Sequence, residues 1–319
     1  MIKPAFSRLP KSALDRAAEF CGTSSRNLKQ LEANENAVFE FHAGSQTKIL
    51  RLTHSSHRDL RAVLAELDWI LYLDRNEIPC ARPLESRNGS LSERIELEDG
   101  YLTACIFEKA PGIKLKVWNE KLLIALGKLV GRIHFATKGY APSEGMPKRH
   151  LWLEESLFRA GQIIPSQDSI LHKCQQMSYS LHRLSTNSEN FGLIHADIHE
   201  GNFHVQGSKI TLFDFDDCHY SWFVNDIAIL LYESTVKHQI EKSDFSTMID
   251  CFTLGYSQHN CLPSDWREQL ELFLKLRNIY VYLFFHSKLD LNHLTERRKT
   301  HLERLKRRIE EDRVLVPIQ

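Results

Sequence analysis

No stretch of this chain approaches the roughly 20 consecutive apolar residues that a bilayer-spanning helix needs, so membrane insertion is not expected. The opening residues, Met1 to Ser7, lack the apolar core of a secretory signal. Neither sign of charge dominates, because 41 Lys and Arg face 41 Asp and Glu. A general electrostatic hold on nucleic acid or on a membrane surface is thereby disfavoured, local patches aside. Paired cysteines are missing as well. The seven cysteines, at 21, 80, 105, 174, 218, 251 and 261, are scattered, odd in number and free of any C-x-x-C pair. They read as reduced thiols of a cytoplasmic protein, with Cys218 the candidate for a reactive one. Internal repeats and low-complexity segments are absent too.

What is present suits a globular protein: 319 residues, 42% apolar and 26% charged, are enough for two lobes with a core. Residues 11–30 suggest a short amphipathic helix and a connector. Ala37 to Phe41 and Thr47 to Leu52 flank the turn His42 to Gln46 as a hairpin. Leu60, Val63, Leu64, Leu67, Ile70, Leu71 and Leu73 mark one buried face of a helix over 58–76. A second strand pair, turning at Asp99-Gly100, spans about 91–108, and Pro111-Gly112 ends this β-rich third. Helices are expected after it, over the stripe Leu122 to Ile133, over 170–184, and near 224–237, 245–258, 265–287 and 292–311. His134 lies on an apolar stripe and reads as a core histidine.

The chemistry concentrates in one segment. The apolar Leu193-Ile194 enters His195-Ala196-Asp197, and Asn202 stands five residues beyond Asp197. A β-type run, Ile210 to Phe213, then leads into Asp214-Phe215-Asp216-Asp217. Phosphoryl transfer from ATP uses such a set: one carboxylate takes the hydroxyl proton, while an amide and a second carboxylate hold Mg²⁺. Protein kinases carry H-R-D-x-x-x-x-N and D-F-G; here the strings are H-A-D-x-x-x-x-N and D-F-D. Asp197 is the candidate catalytic base, and Asn202 and Asp214 are the candidate metal ligands. A zinc reading of His195, His199 and His204 fits less well. H-E-x-x-H places its two rings on one face of a helix, whereas Ala196 fills the second position here and the segment reads as a loop.

The chain resembles the aminoglycoside phosphotransferase/choline kinase family, and within it the bacterial branch of stress-response kinases and type II homoserine kinases. The resemblance rests on His195 to Asn202, on Asp214 to Asp216, and on Glu35-Asn36-Ala37-Val38-Phe39, and it covers roughly residues 30–290. It implies an α+β, bilobal protein-kinase-like fold, with a small antiparallel-sheet lobe over 1–108 and a larger, mainly helical lobe over 109–319. It also implies ATP and Mg²⁺ as cofactors. Asp226 matches the family Asp that braces the catalytic loop, a task shared here with His195. Backbone amides near Asn34, Glu35, Asn36 and Ala37 would cover the phosphates. The backbone at Glu108 and Ala110, in the hinge between lobes, would receive the adenine.

Two departures from the family stand out. Residues 32–41 contain no glycine, so a G-x-G-x-x-G backbone is not available. The usual strand lysine is also missing: alignment places Arg51 there, with Glu66 as its expected partner. Lys48 falls on the opposite face of the strand. On the acceptor side, His199, Glu200, Asp216 and Asp217 are candidates for substrate contact. Carboxylates there favour a cationic acceptor, and they serve equally to bind Mg²⁺ indirectly or to cap turns. The expected acceptor is a small hydroxylated, amine-bearing molecule. A protein Ser/Thr acceptor and a catalytically silent nucleotide-binding regulator are the alternatives.

Overall fold

The computed structural model describes residues 9–31, 35–115, 117–238 and 242–314. Helix α1 (Lys11–Phe20) is the first described element and is followed by strands β1 (Lys29–Leu31), β2 (Ala37–Ala43) and β3 (Gln46–His54). The β2–β3 turn is tighter than the five residues expected. Ala43 pairs with Gln46, and Gly44 takes φ +62°, a conformation glycine adopts without steric cost. Helix α2 (Leu60–Arg75) starts at Asp59, whose side chain accepts the Ala62 N–H at 2.8 Å. Strands β4 (Pro83–Leu84), β5 (Glu93–Leu97) and β6 (Gly100–Glu108) complete a six-stranded antiparallel sheet ordered β1-β2-β3-β6-β4, with β5 also on β6. β1 and β4 were not anticipated, since two or three residues carry too little alternation to read.

The rest is mainly helical: α3 (Glu120–Thr137), α4 (Ala160–Ile163), α5 (Asp168–His182), α6 (Phe223–His238), α7 (Lys242–Tyr256), α8 (Trp266–Lys288) and α9 (Glu296–Glu310). Short strands β7 (Phe191–Ile194), β8 (Phe203–Gln206), β9 (Lys209–Leu212) and β10 (His219–Trp222) interrupt the helices. They form two pairs, β7 with β10 and β8 with β9. The chain is thus an antiparallel-sheet lobe followed by a helical lobe. No described helix is long and apolar enough to cross a membrane.

Two cores form. Ala17, Phe20, Phe39, Phe41, Leu50 and Leu52 close the outer face of the sheet against α1. The apolar face of α2 instead joins the large core of the helical lobe, where Trp69 meets Phe215 edge-on at 5.4 Å. That contact seats α2 directly on the segment carrying Asp214. Within the helical lobe, α3 and α7 approach so closely that a Cβ at Gly127 would lie 2.0 Å from the Phe252 carbonyl oxygen. The same packing brings Tyr256 onto His134.

Candidate active site

The strand β7 buries Leu193 and Ile194 and delivers the chain to a sharp turn in which Ala196 adopts φ +65°. A non-glycine residue in that region costs on the order of 1 kcal/mol, and the surroundings hold it there. Asp226, in the first turn of α6, accepts the Ala196 N–H at 2.7 Å with Oδ1 and the His195 N–H at 3.0 Å with Oδ2. Its Oδ2 also receives His134 Nε2 at 3.1 Å, and His134 Nδ1 lies 2.9 Å from the Tyr256 hydroxyl. The core histidine expected at position 134 is therefore also the support behind Asp226, a role that nothing in the local sequence signals. His195 is buried and lowered in pKa by desolvation. Its Nε2 donates to the Phe213 carbonyl at 3.2 Å, and its Nδ1 accepts the Asp197 N–H at 3.3 Å. The ring thereby ties the Asp197 loop to the strand leading into Asp214.

The two oxygens of Asp197 have different neighbours. Oδ2 accepts from Asn202 Nδ2 at 2.8 Å and lies 3.2 Å from His199 Nε2. His199 Nδ1 is taken by the Gly201 N–H at 2.9 Å, so Nε2 carries the proton toward the carboxylate. Oδ1 faces Arg277 of α8, with Nη2 at 3.5 Å. Desolvation works to raise the Asp197 pKa, but the His199 hydrogen bond and the charges of His199 and Arg277 outweigh it and hold the group at about 2. Arg277 is anchored by Glu233 of α6, whose Oε1 accepts from Nη2 at 2.8 Å and from Nε at 3.1 Å. Sequence reading missed both residues. They lie far from Asp197 along the chain, on helices where charged residues are ordinary.

The turn after β9 contrasts with this. Asp214 takes φ +63° and leaves its side chain 48% exposed, 3.9 Å from Arg51 Nη1. Desolvation and the neighbouring Asp216 push it up to about 7. Asp216, read above as an acceptor-side residue, is buried and turned toward the sheet lobe. It meets His57 Nε2 at 2.5 Å and Asn36 Nδ2 at 3.2 Å, and its backbone oxygen accepts from Arg149 Nη2 at 2.7 Å. Desolvation opposes its charge, yet His57 and Arg51 hold it well below the usual carboxylate range. Glu200 requires the same correction. It is buried and spent on Lys237 and His238 at the end of α6, because burial of a carboxylate demands counter-charges. Asp217 differs from both: it is 44% exposed and 2.7 Å from Arg58 Nη2. Desolvation and Asp197 push it up to about 7.

Across the cleft, Arg51 is buried and gives Glu66 two parallel hydrogen bonds of 2.7 Å, with its guanidinium 5.0 Å from the centre of the Phe107 ring. Lys48 falls on the other face of β3, near enough to Cys21 at the end of α1 to act on its thiol. Glu35 pairs with Lys288 Nζ at 2.9 Å, which links the sheet lobe to the end of α8. Asn34 lies outside the described residues, and Ala37 is buried at the start of β2. The Glu108 side chain meets Arg82 at 2.8 Å, and its N–H donates to the Arg82 carbonyl at 2.9 Å. The Ala110 carbonyl accepts from His204 Nδ1 at 2.9 Å. The buried Ala110 N–H has no hydrogen-bond partner among the described residues.

The three loop histidines share no metal cluster. Among the described residues, the two groups that could gather an ion are His150 with Glu155 and His219, and Glu35 with His57 and Asp216. Cys218 is fully buried and pushed by desolvation up to about 12, so the reactive thiol considered above is an inert core group. Two surface depressions, of about 530 Å³ beside Tyr256 and Trp266 and about 280 Å³ beside Tyr179, include none of the residues around Asp197.

The chain has similar counterparts among known proteins. An amicoumacin kinase of Bacillus subtilis (strain 168) is 35% identical over 308 residues, covering 94% of this chain and 92% of that one. A solved amicoumacin kinase, in complex with AMP-PNP, Ca²⁺ and Ami, superposes with a TM-score of 0.93 at 34% identity, over 98% of this chain and 96% of that one. A microcompartment-associated aminopropanol kinase shares the fold, at a TM-score of 0.76 and 18% identity over 94% and 95% of the two chains. Residues 27–243 match the Phosphotransferase enzyme family. With a set of side chains suited to ATP and a divalent metal, the chain belongs to that phosphotransferase family and is a kinase.

Proposed function

We propose that the chain transfers the γ-phosphoryl group of ATP to a hydroxyl of a small amine-bearing molecule of the amicoumacin type. The observation that carries this reading is the convergence of Asp197, Asn202 and Asp214 on one cleft, opposite the Arg51–Glu66 pair. Asp197 orients the acceptor hydroxyl. Held at about 2, it is a weak base before reaction and takes the proton only as the new O–P bond forms. Arg51, fixed by Glu66, presents a permanent cation to the phosphates. The unpartnered Ala110 N–H suits a ring nitrogen of the adenine. Asn202 and Asp214 offer the all-oxygen donors that Mg²⁺ prefers. The crowding that pushes Asp214 up is what a divalent cation relieves. When bound, that metal neutralises phosphate charge. On the acceptor side, the exposed Asp217 remains as a carboxylate for an amine. No observation favours a protein acceptor.

The test is ADP release and mass analysis with Mg–ATP and amicoumacin, followed by a series of amino alcohols. Phosphorylated amicoumacin is expected from the native chain and not from Asp197→Asn. If no amine-bearing alcohol in the set acquires a phosphoryl group, the reading is wrong.

A further inference from the structure

Arg277 projects from the middle of the 23-residue helix α8 to the edge of the Asp197 carboxylate. It is only 19% exposed, and its two shorter hydrogen bonds, from Nε and Nη2, both end on Glu233 Oε1. The approach of Nη2 to Asp197 Oδ1, at 3.5 Å, is too long for a well-made charged hydrogen bond. Nη1 makes no hydrogen bond among the described residues. Glu233 therefore fixes the plane of the guanidinium while leaving part of its donor fork open.

The neighbouring carboxylate sets where an acceptor can stand. Asn202 and His199 occupy Asp197 Oδ2, so the reacting hydroxyl must approach Oδ1, the oxygen on the Arg277 side. A substituent on the carbon beside that hydroxyl then comes within reach of the guanidinium. Charge decides what the substituent can be. An ammonium has no lone pair to offer the open Arg277 donors and would leave them unmade. A carboxylate would meet Asp197 and Glu233, two anions against one guanidinium. A neutral carbonyl or hydroxyl oxygen accepts from the open donors and meets neither penalty.

Resting on the phosphotransferase reading above, we propose that Arg277 is a specificity-determining residue. It recognises a neutral oxygen-bearing substituent, such as an amide carbonyl, on the carbon adjacent to the reacting hydroxyl. The amine of the acceptor is thereby directed away from Arg277, toward Asp217. The bland alternative makes Arg277 a strut between α6 and α8. It predicts lost stability on substitution and no change in acceptor preference.

The test uses the full chain with Mg–ATP and matched acceptors that share one amine-bearing secondary alcohol. Isoserinamide carries an amide where 1-amino-2-propanol carries a methyl group and isoserine a carboxylate. The native chain should favour isoserinamide over both by about tenfold or more in kcat/KM, as sites built to hydrogen-bond a substrate group reject analogues that lack it. Arg277→Met should bring the amide-to-methyl ratio to within about twofold, with ATP affinity by calorimetry held as the check on folding. Arg277→Lys keeps the charge and loses the fork, and should give an intermediate ratio even if Arg277→Met fails to fold. A native ratio near unity, or a ratio that neither variant moves, overturns the assignment. So does failure of all three compounds with a chain that phosphorylates amicoumacin. Failure with the three compounds and amicoumacin alike removes the proposed amine-bearing acceptor itself.

Discussion

The loop carrying Asp197 and the turn carrying Asp214 each contain one non-glycine residue in the left-handed region, Ala196 and Asp214 itself, and both end in a carboxylate facing the same cleft. Their surroundings are opposite. The first is enclosed by donors: Asn202, His199 and Arg277 converge on the Asp197 carboxylate, and Asp226 secures the backbone behind it. The second is crowded by other carboxylates, Asp216 foremost and then Asp197 and Glu66, with Arg51 no closer than 3.9 Å. One region is self-sufficient in charge and holds its group ionised in place. The other is short of positive charge, which under the proposed function a divalent cation with its nucleotide would supply.

Exchanging the charge at each centre should break the two regions in different ways. Asp197→Asn is expected to lower turnover by at least about 10²-fold while leaving Mg–ATP affinity nearly unchanged, since the loss falls on proton transfer and acceptor orientation. Asp214→Ala should instead abolish productive Mg–ATP binding in calorimetry, because no neighbouring side chain is placed to replace it. Near-normal turnover in the first variant, or normal binding in the second, would collapse the distinction.

The cation between the regions offers a smaller and sharper test. Arg51→Ala should raise the ATP Michaelis constant and destabilise the fold by about 3–5 kcal/mol, because it leaves Glu66 buried and unpaired. Lys48→Ala, on the far face of β3, should change stability by no more than about 0.5 kcal/mol and leave ATP handling alone. Arg51→Lys should keep part of the activity, as a point charge still meets phosphate without spanning to both Glu66 oxygens. A damaging Lys48→Ala beside a silent Arg51→Ala would reverse the assignment.

The smallest effect is a pH dependence of opposite sign in the two regions. Asp214 is raised from its ordinary 3.8 to about 7, so protonation favours the folded chain, and stability falls as pH rises from about 4 through 7. Asp197 is lowered from 3.8 to about 2; its contribution is present above 3.8 and is lost as pH falls through 2. Without metal or nucleotide, Asp214→Asn should therefore be more stable than the native chain at pH 8 and no different at pH 4. Discounted for the exposure of Asp214, the gain is on the order of 1 kcal/mol, or a rise in Tm of about 2 °C. Scanning calorimetry at the two pH values measures it. Added Mg–ATP should reverse the order.

Legibility followed distance along the chain. Asp197 and Asn202 sit five apart in one loop, and Asp214 follows the next strand pair, so their grouping could be read from spacing alone. The long hairpins and helices were equally readable from alternation and apolar faces. Asp216, Glu200 and Cys218 were misread for one reason. Their residue types suit a cleft, but burial assigned them to His57, to Lys237 with His238, and to the core. His134, Glu233 and Arg277 gave no local signal, because a histidine or a charge pair on a helix is common and gains meaning only from what it faces.

Periodicity and short spacing are properties of neighbouring residues, so the longer strands and helices and the spacing of Asp197, Asn202 and Asp214 were legible before folding. Which carboxylates stay charged, which are consumed by internal partners, and which cation stands beside Asp197 emerge from the packing of distant helices. Those outcomes depend on desolvation and on Coulomb interactions over a few ångströms. Such distances are set by α2, α6 and α8 packing around the loop, from positions far apart in the chain.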